Sequence, residues 1–202
     1  MGLWDAITGR SRAPQPNLDA LFAVPSAAIA LETELGLHAT GVGSVCFRAP
    51  GGAAYADTEA EILALLRDDE RAPEVTTTTD SFGYTWLVID GDPAAAPADT
   101  EALCTGLHAV NTTLADQGFA TGLLCTVVVF GDSAQRRVGL VYLYKQGTFY
   151  PFAPVRGHLG QGADPLARDN LLELSVRDVL TGELPLEPDL TRWLGVYGAP
   201  GL

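Results

Sequence analysis

The 202-residue sequence has no apolar run that approaches the roughly 18 consecutive residues that a membrane-spanning helix requires. Its first residues also lack the basic and apolar regions of a secretory signal peptide. Cysteine is scarce: Cys46, Cys104 and Cys125 show no CxxC spacing, which predicts neither a disulfide framework nor a zinc site. All three have apolar neighbours, among which a free cysteine behaves as a small hydrophobic residue. We therefore expect a cytoplasmic protein in a reducing compartment.

Positive charge is scarce as well. The chain has 12 basic residues, eleven of them Arg, against 25 acidic residues, and its formal net charge is −13. Residues 51–120 carry thirteen acidic and two basic side chains, and so nearly all of the excess. Such a surface repels phosphate backbones over a Debye length of ~8–10 Å, which predicts that this region does not bind nucleic acid.

This acidic region has two interpretations. One is an ordinary solvated acidic face, and the other is a surface for a basic protein partner. The candidate residues for such an acidic interaction surface are Asp57, Glu59, Glu61, Asp68, Asp69 and Glu70.

Length and an apolar share of 47% favour one globular domain with a substantial core. We divide the chain into an N-terminal segment with a proline linker (1–16), a single α+β domain (17–181) and a proline-rich C-terminal tail packed on that domain (182–202).

The N-terminal segment is a short amphipathic piece. Leu3, Trp4 and Ile7 fall on one helical side, and Arg10 and Arg12 follow. Trp suits a membrane interface and Arg attracts anionic lipid, so residues 1–12 are a candidate for weak membrane contact. Docking onto the chain's own domain is the alternative, because isolated helices of two to three turns are marginal in water.

Hydrophobic periodicity and turn residues predict the secondary structure. The clearest helix begins at Asp99 or Thr100 and ends at Gly118. Its apolar residues follow a 4-3-4 spacing on one face. The other predicted helices are 18–35 with a break near Pro25, a short one after Asp57, and 168–180. The predicted strands are 40–49, 74–79, 84–90, 123–130, 138–144 and 148–152. Asp80–Gly83 is the predicted turn between the second and third of these strands, and the last two form a predicted hairpin across Lys145–Gly147. Hairpins dominate and no βαβ repeat occurs, so we predict an α+β fold with a mainly antiparallel sheet of about five to six strands and helices packed on it.

Cys104 and His108 are four residues apart on the clearest helix, so their side chains can meet. Such a pair could act as nucleophile and base or as two metal ligands. It flanks the apolar stripe, however, and no third partner lies at a useful spacing, which favours structural packing. Because GxSxG, HExxH and Walker patterns are also absent, we predict no catalytic residues, no metal site and no cofactor, and expect that the protein is not an enzyme.

A candidate partner-binding surface lies in the last third of the chain. Basic residues there flank strands rich in aromatic residues, a combination typical of interface cores, and an edge hairpin could accept a partner strand. The alternative is an ordinary aromatic core hairpin. The candidate residues are Arg136, Arg137, Lys145, Phe149, Tyr150 and Phe152.

Several blocks are distinctive as a set. They are MGLWDA at 1–6, NLDALF at 17–22 with PSA at 25–27, TGVGSVCFR at 40–48, YTW at 84–86, LHAVNT at 107–112, VYLYK at 141–145, GTFYPF at 147–152 and GAPGL at 198–202. With them the chain resembles the actinobacterial PspA-associated family, PspAB, over essentially its full length.

The resemblance implies an accessory or regulatory protein-binding module in an envelope-stress response. Its partner would be a phage-shock-protein-A (PspA) type coiled-coil protein at the inner membrane face, and no catalytic residues are implied. If Thr58–Asp69 is treated as an insertion, the element order also resembles that of type III secretion chaperones and YbjN-like domains, which bind protein segments. The alternatives are a peripheral membrane-surface protein anchored by its N-terminal segment, and a ligand binder or enzyme that uses Cys104 and His108.

Overall fold

The structure is a computed structural model that describes residues 16–48, 63–64, 74–91, 98–155 and 167–202. Within these ranges, no helix is long and apolar enough to cross a bilayer.

One antiparallel sheet of six strands forms the centre of the described part of the chain. The strands are β1 (His38–Phe47), β2 (Val75–Thr79), β3 (Thr85–Asp90), β4 (Leu123–Gly131), β5 (Arg137–Leu143) and β6 (Thr148–Phe152). Their spatial order is β2-β3-β1-β4-β5-β6, which makes β1 and β4 the two central strands. Sequential hairpins join β2 to β3, β4 to β5 and β5 to β6.

The helices are α1 (Val24–Leu35), α2 (Thr100–Leu114) and α3 (Asn170–Leu180), with a 3-10 turn at Leu18–Ala23 before α1 and another at Leu190–Arg192. The predicted break near Pro25 is confirmed, because the 3-10 turn gives way there to α1, with the proline in the first helical turn. The carboxylate of Asp99 caps α2 by accepting a hydrogen bond from the backbone N–H of Ala102 at 2.8 Å. The predicted α+β fold is confirmed by this sheet and these helices.

The helices pack on one face of the sheet, where the apolar stripe of α2 lies against β1. Gly43 permits this approach, because a Cβ atom there would lie only 2.8 Å from Leu107 Cδ1 and 3.0 Å from Leu103 Cδ1. Asn111 Nδ2 ties the helix to β4 by donating to Thr126 Oγ1 at 2.9 Å.

The C-terminal tail packs on the other face of the sheet. Alternate residues of β4 point to the two sides, with Val128 and Phe130 under the helices and Val127 and Val129 under the tail. Trp193, Ala199 and Leu202 complete this second core, and all three are buried. The tail is therefore part of the packed structure as far as its last residue.

The tail also pairs with the outer edge of β6. Phe149 donates its backbone N–H to the carbonyl of Pro185 at 2.8 Å and accepts from the N–H of Glu187 at 2.7 Å. This pairing covers the strand edge that our sequence interpretation left open to a partner strand.

Candidate binding cavity

A cavity of about 730 Å³ lies between the second face of the sheet and the tail. Cys46, Trp86, Cys125 and Tyr150 line it from strands β1, β3, β4 and β6. The turn between β2 and β3 supplies one wall, and residues 191–198 of the tail supply another. Three separate parts of the chain therefore build the cavity.

Asp80 organises the hairpin wall. Its Oδ1 accepts hydrogen bonds from the backbone N–H groups of Phe82 and Tyr84, both at 2.9 Å, and its Oδ2 accepts from Trp86 Nε1 at 2.9 Å. One carboxylate thus fixes both the turn and the indole ring that faces the cavity. The tail passes directly against it, because a Cβ atom on Gly198 would lie 2.6 Å from Asp80 Cβ.

Hydrogen bonds between side chains and backbone carbonyls hold the tail wall. The hydroxyl of Tyr150 donates to the carbonyl of Leu194 at 2.9 Å, and Arg168 Nη1 donates to that of Trp193 at 2.7 Å. The Tyr150 and Trp193 rings stack with centroids 6.0 Å apart. Burial raises the pKa of Tyr150 above its usual value, so its hydroxyl stays a donor at neutral pH.

Two buried carboxylates anchor the chain on either side of this wall. Glu173 pairs with the guanidinium of Arg168 through contacts of 2.9 and 3.1 Å and accepts from the backbone N–H of Ala153 at 2.8 Å. Glu187 accepts from Thr148 Oγ1 at 2.8 Å and lies 3.6 Å from Arg192 Nη1. Because both charges have partners, burying them is tolerated.

The rim of the cavity combines exposed apolar side chains with basic ones. Phe82 and Leu194 line the cavity, yet are 59% and 63% exposed. Lys145 Nζ donates to the carbonyl of Thr121 at 3.0 Å, and Arg192 Nη1 donates to Gln146 Oε1 at 3.1 Å. An apolar cavity with a few convergent polar groups and large exposed rims is typical of a binding site.

The structure separates Cys104 and His108 from this cavity. Cys104 lies on α2 and is buried in the core between the helices and the sheet, where burial raises the pKa of its thiol to about 12. The Nε2 atom of His108 lies 3.4 Å from Asp19 Oδ1. The centroid of its ring is 4.8 Å from that of the Phe22 ring. Among the described residues there is no group of three His, Cys, Asp or Glu side chains that could hold a metal ion.

The residues predicted for partner binding fall in different places. Arg136 and Arg137 lie at the start of β5, whereas Lys145 follows its end and lies at the cavity. The three aromatic candidates are buried, and of these only Tyr150 lines the cavity. These aromatic residues are Phe149, Tyr150 and Phe152.

Two other predicted surfaces lie outside the described residues. They are the acidic residues Asp57, Glu59, Glu61, Asp68, Asp69 and Glu70, and the membrane-contact residues Leu3, Trp4, Ile7, Arg10 and Arg12. The predicted helix after Asp57 also lies outside them, apart from positions 63 and 64, which are helical.

Our sequence interpretation missed the cavity itself. The turn at Asp80–Gly83 was visible as a breaker pattern, but nothing in the tail showed which face of the sheet it would cover. Two aromatic residues in that tail, Trp193 and Tyr197, were the only available signal, since aromatic residues in an irregular segment need a surface against which to pack.

The family model of PspA associated protein B matches residues 1–201. No curated protein and no solved structure matches the chain, so the resemblance to type III secretion chaperones and YbjN-like domains stays a prediction. Because the family match covers nearly every residue, the chain belongs to the PspA associated protein B family.

Proposed function

We propose that this chain is a non-catalytic accessory or regulatory protein that binds a PspA-type coiled-coil protein in an envelope-stress response. The observation that carries the proposal is the family match over residues 1–201, because the family is described by its association with PspA. We also propose a cytoplasmic location at the inner membrane face. The resemblance to the PspA-associated family implies that the partner protein is located there.

The cavity supports binding to a helical partner. A coiled-coil protein exposes amphipathic helices, and such a helix docks by inserting apolar side chains at i, i+3, i+4 or i+7 into a groove. Phe82 and Leu194 would meet that apolar stripe, and Lys145 and Arg192 would face acidic residues on its flank. Trp, Tyr and Arg are the residue types most enriched in binding hot spots, and Trp86, Tyr150 and Arg192 all line this cavity.

We propose that the chain is not catalytic because of the protonation of its candidate nucleophile, the thiol of Cys104. A Cys nucleophile needs a lowered pKa and a nearby base, whereas the pKa of Cys104 is raised to about 12. His108 is oriented by Asp19 and Phe22 on the surface of the helix layer. This pair therefore fits a packing role.

The test is size-exclusion co-elution of the purified full-length chain with the PspA-type protein of the same organism, at low and at physiological salt. We expect a complex with the unmodified chain. Replacing both Phe82 and Leu194 with Ala should weaken it about tenfold or more, because truncating an anchor residue at an interface costs about 2 kcal/mol and tenfold is about 1.4 kcal/mol.

A matched control separates this cavity from exposed apolar surface in general. Leu171 on α3 is 76% exposed and does not line the cavity, so Leu171→Ala should leave the affinity unchanged. Co-elution that is equally strong for all variants would move the binding site elsewhere on the chain. No complex at either salt concentration would contradict the proposed function.

A further inference from the structure

We propose that Cys46 and Cys125 form an oxidisable dithiol site, which a small peroxide entering the cavity converts to a disulfide. This inference is independent of the proposed partner. It rests on where the fold places two thiols that are far apart in the sequence.

The two cysteines lie side by side in the middle of the sheet. Cys46 on β1 and Cys125 on β4 are direct cross-strand partners in the register, and their side chains point to the tail face. Directly opposed residues have Cβ atoms ~4.5–5.5 Å apart, and a disulfide needs about 3.5–4.5 Å. An approach of about 1 Å is thus enough to join them.

The structure of the sheet at this point favours a closer approach of the two cysteines. The register between β1 and β4 shifts between Cys46 and Phe47, which marks a bulge or irregularity next to the pair. Bulges disrupt the ladder and change the local bend and twist of a strand, so the backbone is less constrained here than in a regular ladder. Both thiols are free and both line the cavity, which gives a small oxidant access to them.

The two thiol groups interact with each other. The hydrogen bond with Cys125, followed by burial, raises the pKa of the Cys46 thiol well above its usual value. This hydrogen bond places the two sulfur atoms next to each other, so that one can attack the other once either is oxidised.

The reaction takes place in two balanced steps with hydrogen peroxide as the oxidant. The thiolate of one cysteine attacks one peroxide oxygen, the O–O bond breaks, and a sulfenic acid forms while hydroxide leaves and takes up the proton that this thiol had released. The sulfur of the other cysteine then attacks the sulfenic sulfur, the S–O bond breaks, and the departing hydroxide leaves as water with the proton of the second thiol. The thiols lose two electrons in total and the peroxide is reduced to two waters.

Cys104 provides an internal comparison. It is also a free, buried thiol, but it lies on α2 in the core on the other side of the sheet and does not line the cavity. A general attack on cysteines would not distinguish it from the other two, whereas the proposed site would spare it.

The experiment treats the purified full-length chain with hydrogen peroxide, quenches it in acid, alkylates it under denaturing conditions and maps the peptides by mass spectrometry. We expect one intramolecular disulfide that joins the peptides of Cys46 and Cys125, alkylation of Cys104 only, and full reversal by dithiothreitol. Cys104→Ser should still form this disulfide, and Cys46→Ser and Cys125→Ser should not.

The peptide map of the unmodified chain decides the question even if a substitution prevents folding. Three alkylated cysteines after treatment, a linkage that includes Cys104, or a disulfide between two copies of the chain would each overturn the proposal. Oxidation of either Cys46 or Cys125 that stops at the sulfenic or sulfinic acid would also overturn it, because the other thiol would then not reach its partner.

Discussion

The two faces of the sheet are closed in different ways. Under the helices, apolar side chains such as Leu107 and Phe130 form a continuous core, and Asn111 makes a buried polar link to the sheet. On the other face, an irregular tail is held by hydrogen bonds and buried carboxylates, and a cavity of about 730 Å³ remains. We infer that the helix face supplies most of the stability and that the tail face is available for binding.

This division follows from how each element satisfies its backbone. A helix pairs its own N–H and C=O groups internally, so its packing face can be purely apolar. An irregular tail cannot, and residues such as Glu187 and Arg168 must supply its hydrogen bonds. Specific polar contacts fix a position but fill space less completely than interlocking apolar side chains do.

The largest expected effect is a loss of stability on the helix face. Leu107 is fully buried against β1, so Leu107→Ala should lower the free energy of unfolding by about 2–5 kcal/mol through lost burial and a residual cavity. Urea denaturation followed by circular dichroism measures this change. Leu171→Ala, at an exposed position of α3, serves as the control and should change stability by less than about 0.5 kcal/mol. Equal effects of the two substitutions would contradict the role of buried Leu107 in the core of the helix face.

The second prediction concerns the ion pair that holds the tail. Arg168→Met leaves the carboxylate of Glu173 buried without its guanidinium, a change that costs about 3–5 kcal/mol in fully buried pairs. We expect the lower part of this range, because the Arg168 side chain is 21% exposed. Hydrogen exchange should increase in the tail around Trp193, whose carbonyl loses its donor, and much less in α2.

The double variant Arg168→Met with Glu173→Gln sharpens this comparison. A Gln side chain carries no charge, yet its amide oxygen can still accept from the N–H of Ala153, so part of the lost stability should return. If the double variant is as unstable as the single one, the cost comes from the contacts that both variants lose, instead of from an unpaired charge. These contacts are the hydrogen bond of Arg168 to the Trp193 carbonyl and its packing over the Phe152 ring, 5.0 Å away.

Local sequence signals predicted the elements well and the tertiary contacts poorly. The 4-3-4 spacing on α2, the break at Pro25 and the hairpin at Lys145–Gly147 each depend on a few neighbouring residues, and each is confirmed. The pairing of the Phe149 backbone with residues 185–187 of the tail joins distant parts of the chain, and no local pattern encodes it. The pairing of Cys46 with Cys125 likewise depends on the strand order and register.

The smallest effect is expected from the hydroxyl of Tyr150. Tyr150→Phe keeps the ring stacked on Trp193 but removes the hydrogen bond to Leu194, so the loss at neutral pH should be about 1 kcal/mol. Burial raises the pKa of Tyr150 above its usual value of 10.0, so the folded state favours the protonated form. The contribution of the Tyr150 hydroxyl to the free energy of unfolding is therefore complete below pH 10 and is lost as the pH rises above that value.

This difference in alkaline stability separates the hydroxyl from the ring. Urea unfolding from pH 8 to pH 11 measures the free energy of unfolding of both proteins. The unmodified chain should lose more stability than Tyr150→Phe over this range, so that the difference between the two free energies narrows and then reverses. The pKa of Tyr142, on the helix face, is also raised, first by burial, and it titrates in both proteins, so it cancels in the comparison. If the free energies of unfolding of the two proteins change in parallel with pH, the Tyr150 hydroxyl is solvated and does not hold the tail against the sheet.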